Sequence, residues 1–201
     1  PNGATIAKNQ GVGIIKNDDT KPTISINDAI VTEGGTAKFT VSLSNPSGAD
    51  VTVDYSTADG SATSADGDYT GVTTTTLTFK PGETSKTIEV MTGDDKKFES
   101  DEKFSVNLSK ATGATITKDQ GVATITNDDT QPSISIENVS VKEGETAKFT
   151  VSLSNPTSTA VTVNYTTADD TAAIADSDYT PINNTLIFQP GETSKTIEVS
   201  T

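Results

Sequence analysis

Twelve consecutive residues, GDDKKFESDEKF at 93–104, carry five carboxylates: Asp94, Asp95, Glu99, Asp101 and Glu102. Like charges about 4 Å apart repel by roughly 1 kcal/mol per pair in water and about 4 near a protein surface. Such a loop either stays open in solvent or is held together by something positive. The 201-residue chain has no histidine and no cysteine, so the usual groups for acid–base, nucleophilic and zinc chemistry are missing. Calcium needs neither, since it takes about six to eight oxygens from carboxylates, carbonyls and water. Magnesium prefers a tighter octahedron with more retained water and suits such a loop less well.

Catalysis has little support. Two carboxylates could in principle run a glycosidase, but that needs a cleft with aromatic platforms. The chain has four tyrosines and six phenylalanines. Tyr55, Tyr69, Tyr165 and Tyr179 recur at equivalent points of a repeat and read as structural. There is no glycine-rich phosphate loop, so the chain reads as a non-enzyme. A net charge of −14 and a pI of about 4.2 argue against nucleic acid and against an anionic membrane surface. No apolar run has the length of a transmembrane helix and no signal peptide is visible; the start at Pro1 reads as a piece of a longer chain. The absence of cysteine fits an intracellular protein or a bacterial surface protein that folds without disulfides.

The elements that must position these acids come in repeats. KFTVSLSNP occurs at 38–46 and 148–156, PGETSKTIEV at 81–90 and 190–199, and NDDT at 17–20 and 127–130. The offset of about 110 residues is the size of a small domain. Residues 1–19 match 111–129 and read as the C-terminal strand of a preceding repeat. Residues 20–130 form one complete domain, and 131–201 begin another that lacks its last strands. Within 20–130 the hydrophobic period is two, as in TAKFTVSLS and VTVDYS, with turn signals at Asn45-Pro46, Asp59-Gly60, Pro81-Gly82 and Thr112-Gly113. Seven strands are expected near 23–31, 36–44, 50–57, 74–79, 85–92, 103–109 and 121–126. The fold class is all-β: tandem immunoglobulin-like antiparallel sandwiches. A thin sandwich tolerates an apolar content of 31% because each strand buries alternate residues.

Strands that alternate in direction send odd-numbered connections to one end of the sandwich. Glu33, Asp59, Asp66, Asp68, Asp94, Asp95, Glu99, Asp101, Glu102, Asp128 and Asp129 all fall there, while Asp50, Glu83 and Asp119 fall at the other end. A solvated surface has no reason to sort acids by loop parity. Such a pole could hold more than one calcium ion through shared ligands. Each motif also has a plainer reading. Asp59-Gly60 is a strong turn signal, Asp68 and Asp178 suit turn acceptors better than ligands, and NDD could be a solvated linker.

VTEGGTAKFTVSLS, STADGSATSADGDYT, LTFKPGETSKTIEV, GDDKKFESDEKFSVNLS and GVATITNDD, in that order, resemble the Calx-beta domain. The resemblance spans 20–130 and continues through 131–201. It implies a seven-stranded sandwich with calcium at one pole in several members, and it implies ligands. These are Glu33, Asp59, Asp94, Asp95, Glu99, Glu102 and the terminal group Asn127, Asp128 and Asp129. Asn127 departs from an all-aspartate pattern, and the 93–100 loop carries one extra residue, with Lys96 and Lys97 inside. Asp18 and Asp19 in the first NDDT, and Glu143 and Asp169 in the second repeat, occupy matching positions.

The expected function is a calcium-binding structural repeat. Tandem copies would form the stalk or filament of a large extracellular, bacterial surface protein, with calcium stiffening the joints. The alternative is an adhesin module that recognises protein or carbohydrate through its loops. The expected partners are neighbouring repeats, and neighbouring chains if residues 11–16 add as a strand to the open second domain.

Overall fold

The computed structural model describes residues 1–16 and 18–201; Asn17, the first residue of the first NDDT, lies outside the described residues. Nine strands follow in the first unit. They are β1 (Thr23–Ile26), β2 (Ala29–Thr32), β3 (Thr36–Leu43), β4 (Val51–Asp59), β5 (Thr75–Phe79), β6 (Ser85–Met91), β7 (Glu102–Thr112), β8 (Thr115–Lys118) and β9 (Gln120–Thr126). They make a four-stranded sheet in the order β6-β3-β1-β8 and a five-stranded sheet in the order β2-β9-β7-β4-β5. The alternation read from the sequence is the packing pattern: β7 buries Phe104, Val106 and Leu108, and β9 buries Gly121, Ala123 and Ile125. Across the two sheets Phe39 meets Phe104 edge-on at 6.1 Å, and Tyr69 stacks on Phe104 at 4.2 Å.

Two details differ from the expected pattern of seven antiparallel strands. The first expected strand, 23–31, is broken into β1 and β2, one in each sheet. Side chains replace the ladder where it breaks: Thr40 N donates to Asn27 Oδ1 at 2.5 Å, and Val122 N donates to Asp28 Oδ1 at 3.0 Å. These two side chains take backbone donors from β3 and β9, one in each sheet, at the point where the strand passes from one sheet to the other. Changing sheets also changes partners, so β2 runs parallel to β9 and β1 parallel to β8. The short strand β8 is an addition to that pattern; between β7 and β9 the chain crosses to the other sheet and adds at its edge beside β1.

The second unit contains β10 (Ile134–Ile136), β11 (Thr146–Leu153), β12 (Val161–Thr166), β13 (Asn183–Phe188) and β14 (Ser194–Ser200). One sheet has the order β10-β11-β14 and the other is the pair β12-β13. The register of β11 on β14 repeats that of β3 on β6, with Phe149 opposite Ile197 as Phe39 is opposite Ile88. Nothing among the described residues takes the places of β7 and β9. The two units meet where the loop after β6 reaches the loop after β11. Phe98 N donates to Pro156 O at 3.0 Å, and Ser158 N donates to Phe98 O at 3.1 Å. Thr157, between those partners, is buried. The linker is also tied, by Asn155 Nδ2 donating to Thr130 O at 2.9 Å.

Candidate metal centre

Three loops close on one end of the first unit, each by a backbone contact. Gly34 N, after β2, donates to Gly93 O at 2.6 Å. Gly93 N, after β6, donates to Asp68 O at 2.9 Å. Gly93 leaves no room for a side chain, because a Cβ there would run into the carbonyl of Gly67. Glycine is what lets the 63–71 loop and the 93–101 loop touch. The pocket between them, about 210 Å³, is lined by Glu33, Asp66, Asp68, Asp94, Asp95, Glu99 and Glu102.

The carboxylates sort into two groups. Glu33, Asp95 and Asp129 form one, and Asp68, Glu99 and Glu102 the other; within each, one oxygen per residue lies within 4.8 Å of the rest. Their electrostatics are those of crowded, partly desolvated acids. Burial, then repulsion from Asp95, Glu99, Asp129 and Asp128, pushes Glu33 up to about 7. Burial, then Asp68, raises Glu102 to about 7 as well. Asp129 is raised by burial and by Asp95. Among the described residues, Glu33 Oε2 and Asp129 Oδ2 are buried without any hydrogen-bond partner. Two unpartnered acceptors in one group are what an oxygen-ligated cation would satisfy.

A family model for the Calx-beta domain matches residues 16–131 and 126–201. The chain belongs to the Calx-beta family. Similar solved structures include the apo form of the Calx CBD1 domain, at 25% identity and a TM-score of 0.51, covering 55% of this chain and 100% of that one. CBD12 from CALX1.2 matches at 24% identity and a TM-score of 0.51, over 89% of this chain and 75% of that one. The calcium binding domain CBD12 of CALX1.1 matches at 23% identity and a TM-score of 0.50, over 87% and 74%. The last two share the tandem arrangement of folds.

The Calx-beta resemblance pointed to more acids than the two groups contain. Glu33, Asp95, Glu99, Glu102 and Asp129 are in the groups, and Asp94 lines the pocket. Asp128 is exposed beside them and adds to the charge felt by Glu33. Asn127 braces the site: its Oδ1 accepts from Glu99 N at 3.3 Å and its Nδ2 donates to Asp129 O at 3.0 Å. Asp59 stands apart. Its Oδ1 accepts from Ser64 N at 3.0 Å and from Tyr69 OH at 2.5 Å, and these bonds hold it below the usual carboxylate range. Asp169 does the same with Ile174 N and Tyr179 OH. Asp18, Asp19 and Glu143 are exposed and belong to neither group.

Asp68 was read as a turn acceptor and is one, taking Thr63 N at 2.7 Å, yet it also completes the second group. Gly93 and Lys97 were missed as site residues. The Gly-Asp-Asp run was the available signal for Gly93, since a glycine ahead of paired acids allows close backbone approach. Lys97 Nζ lies 2.7 Å from Glu99 Oε1 and 4.0 Å from Asp95 Oδ2.

Proposed function

We propose that residues 20–130 are a calcium-binding structural repeat of a large extracellular surface, stalk or filament protein, and that calcium stiffens the joint to the repeat beginning at 131. The observation that carries the metal reading is the pair of carboxylate groups with two buried, unpartnered oxygens. Glu33, Asp95 and Asp129 would hold one ion and Asp68, Glu99 and Glu102 a second, with Asp94 and Asp128 within the same field. All-oxygen donors in a loop-built site suit calcium better than zinc or magnesium. The ion supplies positive charge, and the chain's own residues do the rest. Gly93 brings the loops together, Asn127 orients Glu99 and Asp129, and Phe98 carries the loop to the next unit.

The joint reading rests on Phe98. It lies one residue from Glu99, and both of its backbone groups bond to the loop Pro156–Ser158. Ordering the acidic loop therefore orders the contact between units. Three residues, Thr130–Pro132, separate Asp129 from Ser133, and Pro132 restricts the backbone there. A bacterial cell surface is consistent with the absence of cysteine. No helix among the described residues is long and apolar enough to cross a membrane.

Calorimetric titration of the full chain with calcium tests the metal reading. The expected result is saturable binding, with the ion of the Asp68, Glu99 and Glu102 group lost when Glu99 and Glu102 are both changed to Gln. Absence of binding by the unmodified chain overturns it. Small-angle scattering tests the joint: a longer, less variable particle is expected in calcium than in EDTA, and identical profiles would remove the stiffening role.

A further inference from the structure

Lys97 is the cation that the acidic pole already owns. Its ammonium contacts one member of each carboxylate group, Glu99 at 2.7 Å and Asp95 at 4.0 Å. The loop is turned to place it there, since Lys97 N donates to Asp95 Oδ1 at 2.6 Å. The Lys97 side chain is 30% exposed and that of Glu99 only 9%. This separates the pair from exposed surface bridges such as Lys38–Glu89, whose side chains are 66% and 58% exposed. The neighbouring Lys96 is exposed and forms no ion pair among the described residues.

Resting on the calcium reading, we propose that Lys97 is a tethered placeholder. Its ammonium holds Asp95 and Glu99 together when calcium is scarce and must leave both before an ion can take their oxygens. A cation and an ammonium cannot share the desolvated Glu99 carboxylate without strong repulsion; Asp95, whose side chain is 55% exposed, is the more weakly held of the two. The lysine thus sets the calcium threshold: it lowers affinity, and it keeps the loop that carries Phe98 ordered at low calcium. Because one side chain guards an oxygen of each group, its release opens both groups at once. The four-carbon stem can swing the charge into solvent when it is displaced.

The test compares Lys97→Gln with Lys96→Gln in the full chain. Both remove one positive charge from the same loop, but only the first removes the placeholder. Calorimetry with calcium chloride should show roughly tenfold tighter binding for Lys97→Gln and no more than about a twofold change for Lys96→Gln. In EDTA, amide exchange over 93–102 should be faster in Lys97→Gln than in the unmodified chain, and the difference should vanish in saturating calcium. Acylation of the Lys97 amine in the unmodified chain should speed up when calcium is added. Equal tightening by both variants would reduce the effect to net charge and overturn the placeholder. So would unchanged loop exchange in EDTA. If the unmodified chain binds no calcium but Lys97→Gln still loosens the loop, the metal reading fails while the role of Lys97 in closing the loop stands.

Discussion

TAKFTVSLSNP is present twice in this chain, at 36–46 and 146–156, and the two copies have different fates. Both pair in the same register with the same neighbour strand. In the first copy Phe39 is fully buried, whereas Phe149 is only partly so and faces an apolar groove of about 410 Å³. The adjoining isoleucines show it most clearly: Ile24 and Ile26 are 0% and 2% exposed, while Ile134 and Ile136 are 42% and 59% exposed. The local sequence is nearly the same. The difference is made by β7 and β9, which lie some sixty residues or more beyond β3 and cover the first copy alone. An identical peptide is a core element or an open face according to what returns to pack on it. The acidic pole obeys the same rule, because its loops converge only where β7 and β9 complete the second sheet.

The largest effect that would sharpen this contrast is a core truncation. Phe39→Ala should cost about 3–5 kcal/mol, and Phe149→Ala less than half as much. Urea unfolding followed by circular dichroism, with hydrogen exchange to assign each unit, measures both. Equal costs would mean that the second copy is as well packed as the first.

Next in size is Gly93→Ala. The added methyl would press on the Gly67 carbonyl, and a forced backbone shift of this kind costs about 1–3 kcal/mol. It should also separate Asp68 from Glu99 and Glu102 and weaken calcium binding. Thermal melts in EDTA and calcium titration read the two effects separately. Retained affinity would show that contact between the two loops does not assemble the second group.

A pH effect between about 4.5 and about 7 belongs to the first unit. Glu33 and Glu102 are raised from 4.5 to about 7 in the folded chain. Between those values the folded state binds more protons than the unfolded state, so stability in EDTA should fall as pH rises from about 4.5 to about 7 and then level off. Calcium requires the ionised carboxylates, so its affinity should rise over the same interval. Melting temperatures of the first unit across pH 4.5–8, with and without calcium, check this. A flat metal-free profile would mean that the pole is better solvated than its geometry implies.

The smallest expected effect should be the same in both units. Lys38 pairs with Glu89 at 3.0 Å, and Lys148 with Glu198 at 2.7 Å, each across an exposed strand pair. Lys38→Met and Lys148→Met should each change stability by no more than about 0.5 kcal/mol. A large difference between them would show that even this surface pair depends on the cover that β7 and β9 give the first copy.

The amino-acid sequence by itself determined which residues point inward along each strand, because backbone pleating has a period of two whatever surrounds it. It determined the repeat, the turns at Asn45-Pro46 and Pro81-Gly82, and the sorting of acids to one pole, since loop parity follows from strands that reverse direction. Only the tertiary structure decided which acids meet. Asp59, the last residue of β4, and Asp68, in the polar loop that follows, lie nine residues apart, with nothing local to rank them. The fold sets Asp59 against Ser64 and Tyr69, and brings Asp68 to Glu99 and Glu102 through the contact at Gly93. The break at Asn27-Asp28 and the parallel pairing of β2 with β9 were hidden for the same reason. Their hydrogen-bond partners, Thr40 and Val122, are distant in the chain, and contacts of that kind exist only once the two sheets have closed on each other.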